Sequence, residues 1–176
     1  MEEFVNLVKN SKITAKAKAD IIGNHIKGRA EFTEHDVDGY KYVYLNLQLD
    51  GSVEILKPGK HAVHIHEKGD CHEESFKCAG GHFDPGNSGN TDPDANHGYH
   101  LGDLPNIIIN KDGRGVLQAI STRFTLSNGP TSIIQPKEGT SIMIHANKDP
   151  YTPGDSGSGH IGGPRLACGI IHNVKM

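Results

Sequence analysis

Tyr40-Lys41-Tyr42-Val43-Tyr44-Leu45-Asn46-Leu47-Gln48-Leu49 alternates without a break. Val43, Leu45, Leu47 and Leu49 fall on one side, and Tyr42, Tyr44, Asn46 and Gln48 on the other. Successive side chains of a strand point to opposite faces, so this stretch predicts a strand with one apolar face. Ala15, Ala17 and Ala19 alternate with Lys16, Lys18 and Asp20 in the same way, which places a first strand near 13–20. Further strand-like runs lie at 27–34, 60–66, 106–109, 115–126, 140–146 and 165–171. About eight short strands separated by turn residues predict an all-β fold, an antiparallel Greek-key β-barrel or sandwich.

Composition supports that reading. Among 176 residues, 22 are Gly and 9 are Pro, a share that favours turns between strands over a helix bundle. The length suits one domain. Residues 1–14 read as an N-terminal extension and 15–176 as the domain itself. The extension and first strand carry Lys9, Lys12, Lys16 and Lys18 against Glu2 and Glu3, which reads as a solvated strand face. The net charge of −3 offers no basic field for nucleic acid. The longest aliphatic run, Ile107-Ile108-Ile109, is far too short for a membrane helix. Met-Glu-Glu-Phe has no basic or apolar signal-like region, so either a cytoplasmic chain or a processed mature chain is expected.

Two stretches break the strand pattern. Residues 67–105 and 147–164 are long, polar and rich in Gly, Pro, Asp and Asn. Loops beyond about 12–15 residues are uncommon in compact domains and usually carry function. Of the 12 histidines, His61, His64, His66, His72, His82, His97 and His100 crowd into or just before the first of them.

In His61-Ala62-Val63-His64-Ile65-His66, a period of two puts His64 and His66 on one face, about 7 Å apart. Two imidazoles so stacked can converge on one ion. His61 falls with Val63 and reads as a buried, hydrogen-bonded ring. His82, His97, His100 and Asp103 form a second group, and imidazoles with one carboxylate suit tetrahedral Zn²⁺. His145 ends the strand Ser141-Ile142-Met143-Ile144-His145, on the face opposite Ile142 and Ile144.

Four motifs then occur in order: His64-Ile65-His66-Glu67-Lys68-Gly69-Asp70; Ala79-Gly80-Gly81-His82-Phe83-Asp84-Pro85; His100-Leu101-Gly102-Asp103-Leu104; and Gly163-Pro164-Arg165-Leu166-Ala167-Cys168-Gly169. Together they resemble the copper/zinc superoxide dismutases from about residue 15 to 171, and Gly-Asp-Cys at 69–71 is similar to the bacterial branch. The resemblance implies disproportionation of superoxide to O2 and H2O2, with Cu²⁺/Cu⁺ and Zn²⁺ as cofactors. It implies copper at His64, His66, His82 and His145, with His82 bridging to zinc beside His100 and Asp103. The family places its remaining zinc histidine eight residues beyond the bridging one, where this chain has Asn90. His97, followed by Gly98, is the candidate, with Asp92 or Asp94 as substitutes. Asp149 resembles the carboxylate that links a copper ligand to a zinc ligand, and Arg165 resembles the arginine beside the copper that attracts the anion.

The resemblance also implies a disulfide between Cys71 and Cys168, worth on the order of 4.7 kcal/mol in the chain-entropy model. Cys78 is left over and reads as a buried, inert thiol, with disulfide exchange as the alternative. Superoxide is the implied partner, nucleic acid and membrane are not, and a homodimer is among the implied assemblies. The expected location is periplasmic or extracellular, as a processed mature chain, with the cytoplasm as the alternative. A metal-binding module of the same fold without turnover is the alternative function.

Overall fold

A computed structural model describes residues 1–86, 90–95, 99–134 and 136–176. Three twelve-residue strands, β1 (Lys12–Gly23), β2 (Ile26–Val37) and β3 (Tyr40–Gly51), form an antiparallel meander. Asp38 and Gly39 turn β2 into β3, both at positive φ, as the two-residue hairpin that matches strand twist requires. The other strands are β4 (Gly59–His66), β5 (Asp103–Ile109), β6 (Arg114–Ser121), β7 (Ser141–His145), β8 (Arg165–Ile170) and β9 (His172–Val174). In space the order runs β2-β3-β6-β5-β4-β7-β8-β1, and pairing of β1 with β2 closes the barrel. The connections β3 to β4 and β6 to β7 cross over their neighbours in the Greek-key manner. β9 pairs with the middle of β1.

The alternation decides which faces meet inside. Val43, Leu45, Leu47 and Leu49 of β3 are buried with Ala17, Ala19 and Ile21 of β1 and Ala30 and Phe32 of β2. Their core also receives Val63, Ile65, Ile142 and Ile144 from β4 and β7. These two strands are neighbours, with His64 opposite Met143. Their outward faces therefore carry His64, His66, Met143 and His145 side by side. The two long loops cover that outer face, so it is buried as well. The expected histidine-bearing stretches thus share one wall of the barrel.

Three local differences from the sequence reading have physical causes. The expected solvated strand face at the N-terminus gives way, over Glu2–Lys9, to a helix, α1. Val8 is buried, Phe4 meets the Tyr42 ring edge-on at 5.5 Å, and Lys9 Nζ lies 4.6 Å from the Tyr44 ring centre. The aromatic outer face of β3 thus provides the helix with a platform. The run expected at 115–126 stops at Ser121. Beyond it, the N–H groups of Leu126 and Ser127 donate to buried Glu34 Oε2 at 2.7 and 3.0 Å instead of to a neighbouring strand. The third difference is β9, a short strand beyond the run expected to end at 171.

The Thr14 hydroxyl donates to Glu34 Oε1 at 2.7 Å. Burial opposes the charge of Glu34, yet the donors from Ser127, Thr14 and Leu126 outweigh it and hold the carboxyl below its ordinary range. Cys71 and Cys168 are bridged, with Cα atoms 5.7 Å apart, tying the first long loop to β8. No helix among the described residues is long and apolar enough to cross a membrane.

Candidate metal centre

The geometry is set by which nitrogen of each ring is already engaged. His66 Nδ1 donates to the Gly80 carbonyl at 3.0 Å, which leaves Nε2 facing inward. His145 Nδ1 donates to the Gly163 carbonyl at 3.2 Å, which again leaves Nε2. His64 is turned the other way. Its Nε2 donates to Asp149 Oδ2 at 2.9 Å, and its Nδ1 lies 3.1 Å from His145 Nε2. One nitrogen each from His64, His66, His82 and His145 lies within 4.8 Å of all the others. Metal-binding histidines commonly donate their second N–H to a carboxylate or carbonyl in this way, fixing tautomer and ring orientation.

His82 stands between two groups. An isolated bridge pairs its backbone with His66, which brings the loop over the end of β4. Its Nδ1 lies 2.9 Å from Asp103 Oδ1 and 3.1 Å from His100 Nδ1. Its Nε2 is buried on the other side, with no hydrogen-bond partner among the described residues, and the same is true of His66 Nε2. A buried imidazole nitrogen without a partner costs free energy, and a metal ion removes that cost. The donor sets fit the two ions that the resemblance implies: four imidazoles for copper, and imidazoles with a carboxylate for zinc.

Electrostatics favour the same assignment. Burial, followed by the neighbouring His82, pushes His64 and His66 well below the ordinary imidazole value. Burial and then His64 do the same to His145. Burial thus favours the neutral form of these rings, the form that presents a lone pair. On the other side, burial opposes the Asp103 charge, but donors from His100 and His82 hold its carboxyl far below the ordinary carboxylate range. The His100 backbone N–H also donates to Asp103 Oδ2 at 3.0 Å, so the turn itself aims the carboxylate.

Arg165 follows the Gly-Pro turn and is paired with His145 across β7 and β8. Its guanidinium donates to the carbonyls of Phe76 and Gly80, both at 2.6 Å. Gly80 therefore holds both His66 and Arg165 through one carbonyl, and it does so at φ +73°, where a side chain is strained. Gly162 has a second such role: at φ +82° its missing Cβ would lie 2.7 Å from His145 Cγ. Neither glycine could be singled out from residue pattern alone, because the chain has 22 of them.

His97 lies outside the described residues. Asp92 and Asp94, its possible substitutes, are occupied elsewhere. Asp94 is buried and accepts from the N–H groups of Ile161 and Gly159, both at 2.9 Å. Asp92 accepts from the N–H groups of Asp94 and Ala95 and from the Ser156 hydroxyl. Both carboxylates clamp one long loop to the other. His61 is buried as expected. Its Nδ1 lies 2.8 Å from the His145 carbonyl and its Nε2 2.7 Å from the Lys57 carbonyl.

The model of the family described as copper/zinc superoxide dismutase matches residues 26–171 of the chain. Among curated relatives, the copper/zinc superoxide dismutase of Deinococcus radiodurans is 39% identical over 136 residues, covering 70% of this chain and 70% of that one. The second such enzyme of Aquifex aeolicus is 34% identical over 161 residues, covering 89% of this chain and 86% of its own. A superoxide dismutase-like protein from Bacillus subtilis superposes with a TM-score of 0.69 at 26% identity, over 90% of this chain and 99% of that one.

The chain belongs to the copper/zinc superoxide dismutase family. It is a superoxide dismutase, with superoxide as its substrate and copper and zinc as its cofactors.

Proposed function

We propose that His64, His66, His82 and His145 hold the copper and that His82 also holds the zinc, with His97, His100 and Asp103. The observation that carries this is the orientation of the rings. Three histidines have their outer nitrogens committed to Asp149, Gly80 and Gly163, while His82 turns one nitrogen to each group.

When bound, copper supplies a one-electron couple that oxidises one superoxide to O2 and reduces a second, which takes up two protons to leave as H2O2. The protein's residues do the rest. Arg165 attracts and orients the anion through a permanent positive charge. His82 would hold copper at Nε2, the same atom that could hold a proton in copper's place, while its Nδ1 stays fixed against Asp103 and His100. Asp149 holds the His64 ring in the tautomer that leaves Nδ1 free.

The domain is proposed to span 15–176, with 1–14 as an extension, and β1 reaches back to Lys12. Periplasmic or extracellular maturation is supported by the Cys71–Cys168 bridge, a feature of oxidising compartments. A homodimer is supported by exposed Ile108 and Val116 on the neighbouring strands β5 and β6. No nucleic-acid or membrane partner enters this reading.

The test is metal content together with superoxide decay followed by pulse radiolysis. Stoichiometric copper and zinc with strongly accelerated decay are expected. Full copper without acceleration would make the chain a metal-binding module of the same fold.

A further inference from the structure

We infer a third metal site, for a Zn²⁺-class ion, formed by His72 and Cys78 and held in place by Asp70. It lies outside the histidine centre, on the loop segment between the disulfide and the Gly80 turn. One ligand atom each from Asp70, His72 and Cys78 lies within 4.8 Å of the others. Asp70 and His72 meet within one turn, and the loop brings Cys78 back to His72 from six residues on.

The distances suit coordination. His72 Nε2 lies 3.8 Å from Cys78 Sγ. Metal bonds of about 2.0 Å to nitrogen and about 2.3 Å to sulfur, opened to roughly 120°, span about that separation. The other nitrogen, Nδ1, is held by Asp70 Oδ1 at 2.5 Å. Asp70 thus stands to His72 as a carboxylate stands to a metal-bound imidazole, fixing the tautomer that presents Nε2. Glu73 Oε1 lies 4.0 Å from His72 Nε2, within reach of an ion held there. Water can complete the set, because His72 and Glu73 are half-exposed or more.

The segment is anchored at both ends before any ion arrives. Cys71 is bridged to Cys168, and Arg165 grips the Phe76 and Gly80 carbonyls on either side of Cys78. Cys78 is the one free cysteine among the described residues and is half-buried. One thiolate and the Glu73 carboxylate balance a divalent charge, and sulfur with imidazole selects a borderline-soft ion. The ion displaces the thiol proton, which leaves to solvent, so no redox step is involved.

Cobalt(II) tests the site because its absorption reports bound thiolate. The disulfide-intact, copper- and zinc-loaded protein is titrated with Co²⁺ at slightly alkaline pH. The histidine centre has no sulfur donor, so a thiolate-to-cobalt charge-transfer band reports Cys78 alone. A band saturating at one equivalent and reversed by Zn²⁺ is expected. It should vanish in Cys78→Ser, and the affinity should fall at least tenfold in His72→Ala and about tenfold in Asp70→Asn. Circular dichroism checks that each variant is folded. Absence of the band in the wild type, or an unchanged titration in His72→Ala, overturns the site.

Discussion

His64 Nε2 donates to Asp149 Oδ2 at 2.9 Å, joining a residue of β4 to the loop that follows β7. The bond leaves His64 Nδ1 facing His145 Nε2, so a carboxylate 85 residues away chooses which nitrogen of His64 is presented to the histidine cluster. The carboxylate is itself held: the Tyr151 N–H donates to Oδ1 at 2.7 Å, and Asn106 bonds both the N–H and the carbonyl of Asp149.

Asp149→Asn should therefore weaken copper without removing any ligand. A loss of about 10–100-fold in copper affinity is expected, the usual effect of deleting a partner behind a ligand. Competition against a chelator of known affinity measures it, and unchanged affinity would return Asp149 to a purely structural role.

Arg165→Ala should slow superoxide capture at least tenfold and flatten its salt dependence, while copper content stays constant. Arg165→Lys keeps the charge but not the fork that grips Phe76 and Gly80, so an intermediate rate is expected. The measurement is the second-order rate against ionic strength. A full rate in Arg165→Ala contradicts the steering role.

Glu34 carries a pH dependence independent of the metals. Its folded carboxyl titrates below the ordinary value of 4.5, so the unfolded chain binds the proton first as pH falls. Its stabilising contribution is complete above that value and disappears as pH drops through the lowered one. Glu34→Gln should cost about 1–3 kcal/mol at neutral pH, because buried N–H groups lose a charged acceptor. Denaturant melts at several pH values should show the gap from wild type closing in acid. A gap independent of pH would mean that only packing is at stake.

His97→Ala should lower zinc affinity by well over tenfold, since removing a ligand should exceed the roughly 10–100-fold effect of removing a partner behind one. Copper should remain on His64, His66 and His145. Asp92→Asn should retain zinc, because both Asp92 oxygens already serve loop contacts. Full zinc in His97→Ala with loss in Asp92→Asn reverses the assignment.

Much of the barrel was legible because side-chain alternation is a local property. Val43 to Leu49 needs only its own period to declare a strand and the face it buries. His64 and His66 were legible for the same reason, and His145 from the alternation of β7. The helix α1 was not, since its stability comes from the Tyr42 and Tyr44 platform on another element. Glu34 escaped notice because its N–H donors lie 92 and 93 residues away. The carbonyls of Gly80 and Gly163, which orient His66 and His145, carry no side-chain signature at all. The pairing of His72 with Cys78 depends on a loop path that no periodicity encodes.

The most direct test of the bridge at His82 is electron paramagnetic resonance of the protein with Cu²⁺ in both groups. His82 turns Nε2 to one group and Nδ1 to the other, so two spins on one imidazole should couple. The expected result is loss of the isolated Cu²⁺ signal on filling the second site, with full signal from the singly loaded protein. Two independent Cu²⁺ signals at full double occupancy would contradict the bridge.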